Sequence, residues 1–146
     1  MDDIVCANTA FRYWRCPPQV RDLYPRLPNS EEGWRALSQA PFVTEVLKTP
    51  IIAVASPGCC NHHSGLRSTI RWEGASDAGT TIDTNLGFSV TNPFNTLFTM
   101  TRFVSQIDLV LAMYELCGWF SVFEPAPAAE MQLKMAVEEN RNSSTQ

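Results

Sequence analysis

The string Cys59-Cys60-Asn61-His62-His63 contains thiol and imidazole groups that can hold a metal ion or act as a nucleophile with its base. Structural zinc sites usually space paired ligands about two to four residues apart, and no second cysteine pair follows this string. Side chains adjacent in sequence also seldom point at each other, which disfavours a thiolate–histidine pair. We therefore predict no metal, no cofactor and no catalytic residue, and interpret the string as an exposed loop. The alternative is a thiol or metal enzyme with its site at Cys59, Cys60, His62 and His63.

Arginines and aromatic rings alternate between Phe11 and Arg15. From Phe11 to Arg26 there are four arginines and one acidic residue, so this segment carries about +3 in a chain whose formal net charge is −4. Guanidinium groups contact phosphates and aromatic rings stack on bases, which is the chemistry of a nucleic-acid surface. The predicted phosphate-binding residues are Arg12, Arg15, Arg21 and Arg26. If Phe11 and Trp14 instead lie in the core, these arginines form a solvated or ion-paired outer face.

Glu115 lies in the most apolar helical segment of the chain. It is either a functional carboxylate or, as we expect, an ion-paired one, with an arginine such as Arg102 as its partner. No glycine-rich loop is followed by Lys-Ser/Thr, so a nucleotide-triphosphate enzyme is not predicted. No strand carries the paired carboxylates and lysine of a metal-dependent nuclease.

Composition describes one globular domain, because 146 residues that are 45% hydrophobic and 18% charged can bury a core without metals or disulfides. The longest apolar runs are five residues, against the roughly 18 that a bilayer span requires, so no membrane helix is predicted. Five cysteines without a repeated spacing indicate reduced thiols, with Cys6 and Cys117 as buried apolar groups. Together with an acidic N-terminus, this predicts a cytoplasmic protein.

The elements that position these residues follow from apolar spacing. A helix capped by Asn8 or Thr9 places Ala7, Ala10, Phe11 and Trp14 on one face. Residues 17–29 contain four prolines and predict a loop, residues 30–40 a helix, and residues 42–47 one further helical turn. Residues 51–55 form a β-branched run typical of a central strand buried on both faces.

The second half of the chain predicts further strands and two more helices. Residues 66–72 alternate as a strand, and residues 80–83 and 86–90 predict an antiparallel hairpin. Asn92-Pro93 begins a helix with Phe94, Leu97 and Phe98 on its apolar face. Ser105 caps a helix that is apolar on nearly all sides from 107 to 117, which predicts that it is covered on most sides. Trp119 to Phe123 predicts a last strand.

These elements predict a single α+β domain, a small mixed sheet with helices packed on it. The change in composition after Phe123 places the domain at residues 1–124 and a helical or disordered tail at 125–146. A tail helix of about 12 residues is marginal alone in water, so it is a candidate for packing against the body or another chain.

Val90-Thr91-Asn92-Pro93 ends one predicted strand and precedes a predicted helix, and further matching strings lie elsewhere in the chain. Together these strings resemble bacterial proteins similar to the antitoxins of abortive-infection type IV toxin–antitoxin systems, in which a strand ends in a Val-Thr-x-Pro step and a helix follows. The resemblance implies a transcriptional regulator, and larger related chains resemble fusions to an endonuclease-like domain. This chain has neither a recognisable winged helix nor a nuclease motif. The matching strings are residues 9–15, 89–93, 96–97, 102–103 and 114–118.

The sequence therefore predicts a non-enzymatic interaction domain of a regulatory or defence protein, with DNA or another protein as its partner. Two alternatives stay open. One is a nuclease-related or thiol/metal enzyme with a site near Cys59–His63. The other is a pure assembly domain that forms a homo-oligomer through residues 125–146.

Overall fold

A five-stranded mixed sheet forms the centre of the fold, and the computed structural model describes it within residues 4–28, 33–55 and 62–118. The strands are β1 (Ile4–Val5), β2 (Ile51–Val54), β3 (Arg67–Ile70), β4 (Thr81–Asp83) and β5 (Ser89–Thr91). In spatial order they are β3, β2, β1, β5 and β4. The pairs β1–β2 and β4–β5 are antiparallel, whereas β1–β5 and β2–β3 are parallel. The predicted α+β class with a small mixed sheet is confirmed.

Strand β2 is buried along its whole length, as its β-branched composition predicts. Alternate side chains enter two different cores: Ile51 packs in one hydrophobic cluster, and Ile52 and Val54 pack in the other. Because successive side chains of a strand point to opposite faces, the sheet has a core on each side. The predicted hairpin is also present, with Thr81 opposite Thr91 in β4 and β5.

Helices cover both cores. They are α1 (Ala7–Arg15), α2 (Pro18–Arg21), α3 (Gly33–Gln39), a π-helical turn (Val43–Leu47), a 3₁₀ turn (Glu73–Ser76), α4 (Pro93–Met100) and α5 (Gln106–Leu116). The helical turn predicted at residues 42–47 is therefore present. The loop predicted for residues 17–29 is interrupted by α2, because Pro18 lies in the first turn, where its missing N–H costs nothing.

The N-cap of α1 is Cys6, two residues before Asn8 and three before Thr9, so the predicted caps are wrong. Thr9 lies inside the helix, and its hydroxyl accepts a hydrogen bond of 3.0 Å from the Ile52 N–H of β2. Ala7 and Ala10 are buried as predicted, and Tyr13 joins them. The hydroxyl of Thr9 thus ties the helix to the central strand instead of capping the helix.

Helix α4 is capped by Asn92, whose side chain accepts the Asn95 N–H, as its Asn-Pro start predicts. Of the predicted apolar face, Leu97 packs against the core as expected, but the two phenylalanines do not. Phe94 and Phe98 are exposed, whereas Thr96 and Thr99 are buried. The threonines are buried because hydrogen bonds satisfy their hydroxyls: Thr99 accepts the Ala7 N–H at 3.0 Å.

Helix α5 starts at the predicted cap, with the Ser105 hydroxyl accepting the Asp108 N–H. The prediction that this helix is covered on most sides is wrong, since Ala112 is its one fully buried residue within the described structure. Cys117, predicted to be buried, is exposed, whereas Cys6 is buried as expected.

Three predictions concern residues outside the described ranges: the strand at 119–123, the boundary near 124 and the tail at 125–146. Among the described helices, none is long and apolar enough to cross a membrane.

Candidate functional site

Helix α5 carries four exposed apolar side chains at the i, i+3, i+4 and i+7 positions of one helical face. Their exposed fractions are 74% for Ile107, 48% for Val110, 49% for Leu111 and 43% for Tyr114. We call these four residues the apolar stripe. In a helix whose apolar face is packed, residues at this spacing are the buried ones, so the arrangement here is the reverse of the usual one.

The opposite side of α5 provides its contact with the fold. Ala112 is buried in the same cluster as Met100 and Ile52, and Leu109 packs against that cluster. The helix is therefore held by one narrow side, and the residues of the apolar stripe stay 43% to 74% exposed.

A groove of about 330 Å³ lies between α1 and α5, and we call it the α1–α5 groove. Met100 and Val104 add apolar surface to its lining. Both helices contribute the same spacing, i, i+3, i+4 and i+7, because each presents a single face to the groove. The residues are Asn8, Phe11, Arg12 and Arg15 from α1, and Asp108, Leu111, Ala112 and Glu115 from α5.

An ion pair closes the groove between its two helices. The Arg15 Nε donates to Glu115 Oε1 at 2.8 Å, with side-chain exposures of 25% and 6% respectively. Glu115 is thus ion-paired as predicted, but Arg15 takes the place of Arg102. The Arg102 guanidinium instead donates to the Arg71 carbonyl at 3.2 Å. Sequence spacing could not have selected Arg15, since 100 residues separate the two partners.

Arg12 is the second cation of the groove. Its Nη1 donates to the Leu47 carbonyl oxygen at 2.8 Å, and no carboxylate in residues 4–28, 33–55 or 62–118 forms a salt bridge with it. Burial, and next the nearby Arg15 charge, lower the pKa of Arg12. The guanidinium is therefore half-buried beside a like charge, an environment that favours a bound anion.

The other two predicted arginines lie elsewhere. Arg21 stacks on the ring of Tyr13, with 4.3 Å between its Cζ and the ring centroid, and it is 5.7 Å from the Trp14 ring. Arg26 is exposed. The guanidiniums of Arg12, Arg15 and Arg21 thus contact a carbonyl oxygen, a carboxylate and an aromatic ring within the fold. These three arginines therefore do not form the outward face that the sequence suggested. Their role in binding nucleic acid stays a prediction.

The histidines of the Cys59–His63 string are exposed, and His63 Nδ1 shares a hydrogen bond of 2.8 Å with the Ser68 hydroxyl. Cys59 and Cys60 lie outside the described residues, so the metal and thiol alternatives stay predictions. In the described ranges, no group of three or more His, Cys, Asp or Glu side chains is placed to hold a metal ion.

Comparisons of this chain with protein-family models, with curated proteins and with solved structures find no match. The resemblance to abortive-infection antitoxins therefore stays a prediction. The apolar stripe and the α1–α5 groove are the surfaces of the described structure that bear on function. The spacing of both surfaces is present in the sequence, but the sequence does not say which of these residues the fold leaves exposed.

Proposed function

We propose that this protein is a non-enzymatic interaction domain that pairs with a second copy of itself through the apolar stripe of α5. The supporting observation is that four apolar side chains at the i, i+3, i+4 and i+7 positions of α5 are exposed. This proposal corresponds to the assembly domain that the sequence left open as an alternative. It places the interface on α5 instead of residues 125–146.

The exposed apolar area has the size that a stable dimer needs. Eight large apolar side chains between 94 and 114 are each 40% to 76% exposed. Aromatic side chains offer roughly 150–250 Å² each and aliphatic ones somewhat less, so at these exposures the eight residues of α4, α5 and the segment between them present on the order of 800 Å². The apolar stripe supplies about half of this area, and its neighbours supply the rest. A standard interface buries about 800 Å² on each partner. The eight residues are Phe94, Phe98, Phe103, Ile107, Val110, Leu111, Met113 and Tyr114.

A second copy suits the stripe because none of its four residues is charged. In a two-fold dimer the same surface meets itself, so a charged stripe would place like charges opposite each other. Val110 and Leu111 lie at the middle of the stripe, where a residue comes close to its own counterpart whether the two helices run parallel or antiparallel.

The test uses analytical ultracentrifugation of the full chain from about 1 to about 100 µM. We expect a dimer, and we expect Val110→Glu and Val110→Lys to weaken it at least about 100-fold each, because each buries like charges at the two-fold axis. Mixing the two variants should restore a dimer by pairing Glu with Lys. Ile82→Glu, on the 44% exposed Ile82 of β4, is the matched control and should leave the dimer intact.

Two results would overturn the proposal. A monomer at every concentration would mean that the stripe has another occupant, such as residues 119–146 of the same chain or a different protein. A dimer that tolerates both Val110 variants would place the interface on another surface.

A regulatory or defence role with DNA as partner stays a prediction, as does the cytoplasmic location inferred from the acidic N-terminus. Only Arg26, among the four predicted phosphate-binding residues, has an exposed side chain. An antitoxin-like regulator that pairs with itself is compatible with the dimer, because DNA-binding dimers often read two half-sites. The interaction-domain proposal does not depend on DNA binding.

A further inference from the structure

The two edges of the sheet differ in how their backbone groups are paired. On the β3 edge, the Thr69 N–H donates to the His62 carbonyl at 2.8 Å, so the segment before β3 covers that strand. Strand β4 forms the other edge, and within the described ranges it pairs with β5 alone. An edge strand with unpaired N–H and C=O groups can accept a further strand.

The hydrogen bonds of the hairpin show which groups of β4 point outward. The Asn92 N–H donates to the Thr80 carbonyl at 2.9 Å. In an antiparallel pair every second residue bonds its partner strand, so Ile82 is the next residue that bonds to β5. Thr81 and Asp83 therefore direct their N–H and C=O groups away from β5, toward the edge of the sheet.

The side chains of β4 differ between the two faces of the sheet. Ile82 is 44% exposed and lies opposite the buried Val90, at the margin of the core. Asp83 is exposed and belongs to the other face, where the Ser89 hydroxyl donates to its Oδ1 at 2.6 Å. Because opposite residues of neighbouring strands share a face, an added strand would place alternate side chains beside Ile82 and beside Asp83.

The surroundings of β4 are acidic. Residues 73–101 contain no lysine, arginine or histidine, and three exposed carboxylates in this range form no salt bridge with another described residue. The three are Glu73, Asp77 and Asp83. Arg26 contacts the hairpin turn at Gly87, and Asp22, which is bonded to the same turn, balances its charge. The edge therefore favours a positively charged partner.

From the open edge, the exposed Ile82 and the acidic surroundings we propose that β4 binds an extended segment of another protein in which basic and apolar residues alternate. Its backbone pairs with the N–H and C=O groups of Thr81 and Asp83. Its apolar side chains pack beside Ile82, and its basic side chains lie on the Asp83 face. In this mode of recognition main-chain hydrogen bonds supply affinity and alternate side chains supply specificity. A second copy of β4 is disfavoured, because it would bring like charges together.

The experiment measures amide hydrogen exchange in the full chain by ¹H–¹⁵N spectroscopy, with acetyl-Lys-Val-Lys-Val-Lys-amide as the probe. In the free chain the Thr81 and Asp83 amides should exchange at least about tenfold faster than the Ile82 amide, which is bonded to β5. Saturating probe should slow Thr81 and Asp83 at least about tenfold and leave Ile82 unchanged, because only the first two gain hydrogen bonds.

Three related probes test the backbone and the charge separately. One is N-methylated at every lysine and another at every valine, so each lacks alternate N–H groups. One of these two should lose binding and the other should keep it, since only every second N–H of an added strand faces β4. The third has glutamate in place of every lysine and should not bind, because its charge repels the acidic edge.

Asp83→Asn keeps the shape of the side chain but removes its charge, and it should weaken the lysine probe at least about threefold. Asp108→Asn is the matched control, since Asp108 is an exposed acid on α5, and it should leave the affinity unchanged. If Asp83→Asn does not fold, the probe series on the unaltered chain still decides the question. Val110→Glu should bind the probe as tightly as the unaltered chain, so this proposal and the dimer fail independently.

Equal binding of the two N-methylated probes would overturn the proposal, as would binding of the glutamate probe or unchanged exchange at Thr81 and Asp83. Slow exchange of both amides in the free chain would also overturn it, because another part of the chain or a second copy would then cover the edge.

Discussion

Helices α1 and α5 lie next to each other, but α1 buries several of its apolar side chains whereas α5 leaves most of its own exposed. Helix α1 buries Ala7, Ala10 and Tyr13, and its arginines bind groups inside the fold. Helix α5 has a higher proportion of large apolar residues but buries only Ala112 among its described residues. The difference shows that the neighbours of a helix, more than its composition, decide which side chains leave water. Helix α1 packs on strands β2 and β5 and on α4, whereas the main contacts of α5 are with α4 and α1.

The largest expected difference in the free energy of unfolding is between alanine substitutions of two phenylalanines. Phe42 is fully buried in the core beside α1, where its ring meets Tyr13 edge-on, whereas Phe94 of α4 is 76% exposed. We expect Phe42→Ala to lower the free energy of unfolding by about 3–5 kcal/mol, because it leaves a cavity. Phe94→Ala should change it by less than about 0.5 kcal/mol when unfolding is measured at a protein concentration where the chain is monomeric, because the ring then stays in water in both states. Urea denaturation of both variants measures this, and equal losses would contradict the described packing.

A smaller effect is expected where α4 joins the start of α1. Thr99→Val keeps the shape of the side chain but removes the hydroxyl that accepts the buried Ala7 N–H. That N–H is left without a partner, so we expect a loss of roughly 1–3 kcal/mol in the same urea assay. Thr101→Val is the control, because Thr101 is exposed and its hydroxyl bonds only within its own turn. A loss as large at Thr101 would mean that burial does not cause the effect.

Cys6, which precedes α1 and is buried, extends the comparison to pH. Burial raises the pKa of the Cys6 thiol to about 12, although the Arg102 charge acts in the opposite direction. In the unfolded chain a cysteine titrates near about 8.5, so above that pH the unfolded state releases a proton that the folded state keeps. Stability from Cys6 is therefore complete below about pH 8.5 and declines as the pH rises toward about 12.

At about pH 10 this decline amounts to about 2 kcal/mol for Cys6. Urea midpoints measured between about pH 7 and pH 10 should fall less steeply for Cys6→Ala than for the unaltered chain. Identical slopes for Cys6→Ala and the unaltered chain would refute the role of the buried thiol.

The smallest expected effect is that of the Arg15–Glu115 ion pair, which links the two helices. A double-mutant cycle with Arg15→Gln and Glu115→Gln should give a coupling energy of about 1 kcal/mol in urea denaturation, since Arg15 remains partly in water. Pairing Arg15→Gln with Asp83→Asn, whose carboxylate bonds to Ser89, should give no coupling. A coupling near zero for the first pair would mean that packing alone holds α5 on α1.

Local patterns predicted most of the secondary structure. The β-branched run at 51–55 predicted the buried central strand, and the caps Asn92 and Ser105 predicted the starts of α4 and α5. These signals depend on residues a few positions apart, because caps and strand alternation act over one or two turns of chain. The ion pair of Glu115 was also expected, although its partner was not.

The inward sides of α4 and α5 could not be predicted in the same way. Phe94 and Thr99 lie on different sides of α4, and hydrophobicity alone places the phenylalanine inside. The fold buries Thr99 because its hydroxyl meets the Ala7 N–H, a contact across 92 residues. The groove depends likewise on bringing α1 beside α5, and no local pattern specifies that arrangement.

By itself, the amino-acid sequence determined the α+β class, the central strand, the hairpin and the beginnings of the later helices, because each depends on short-range hydrogen bonding and side-chain periodicity. The tertiary structure decided which apolar residues stay in water and which arginines bind internal groups. Those outcomes depend on contacts between segments about 100 residues apart, such as Arg15 with Glu115, and such contacts exist only after the chain has folded.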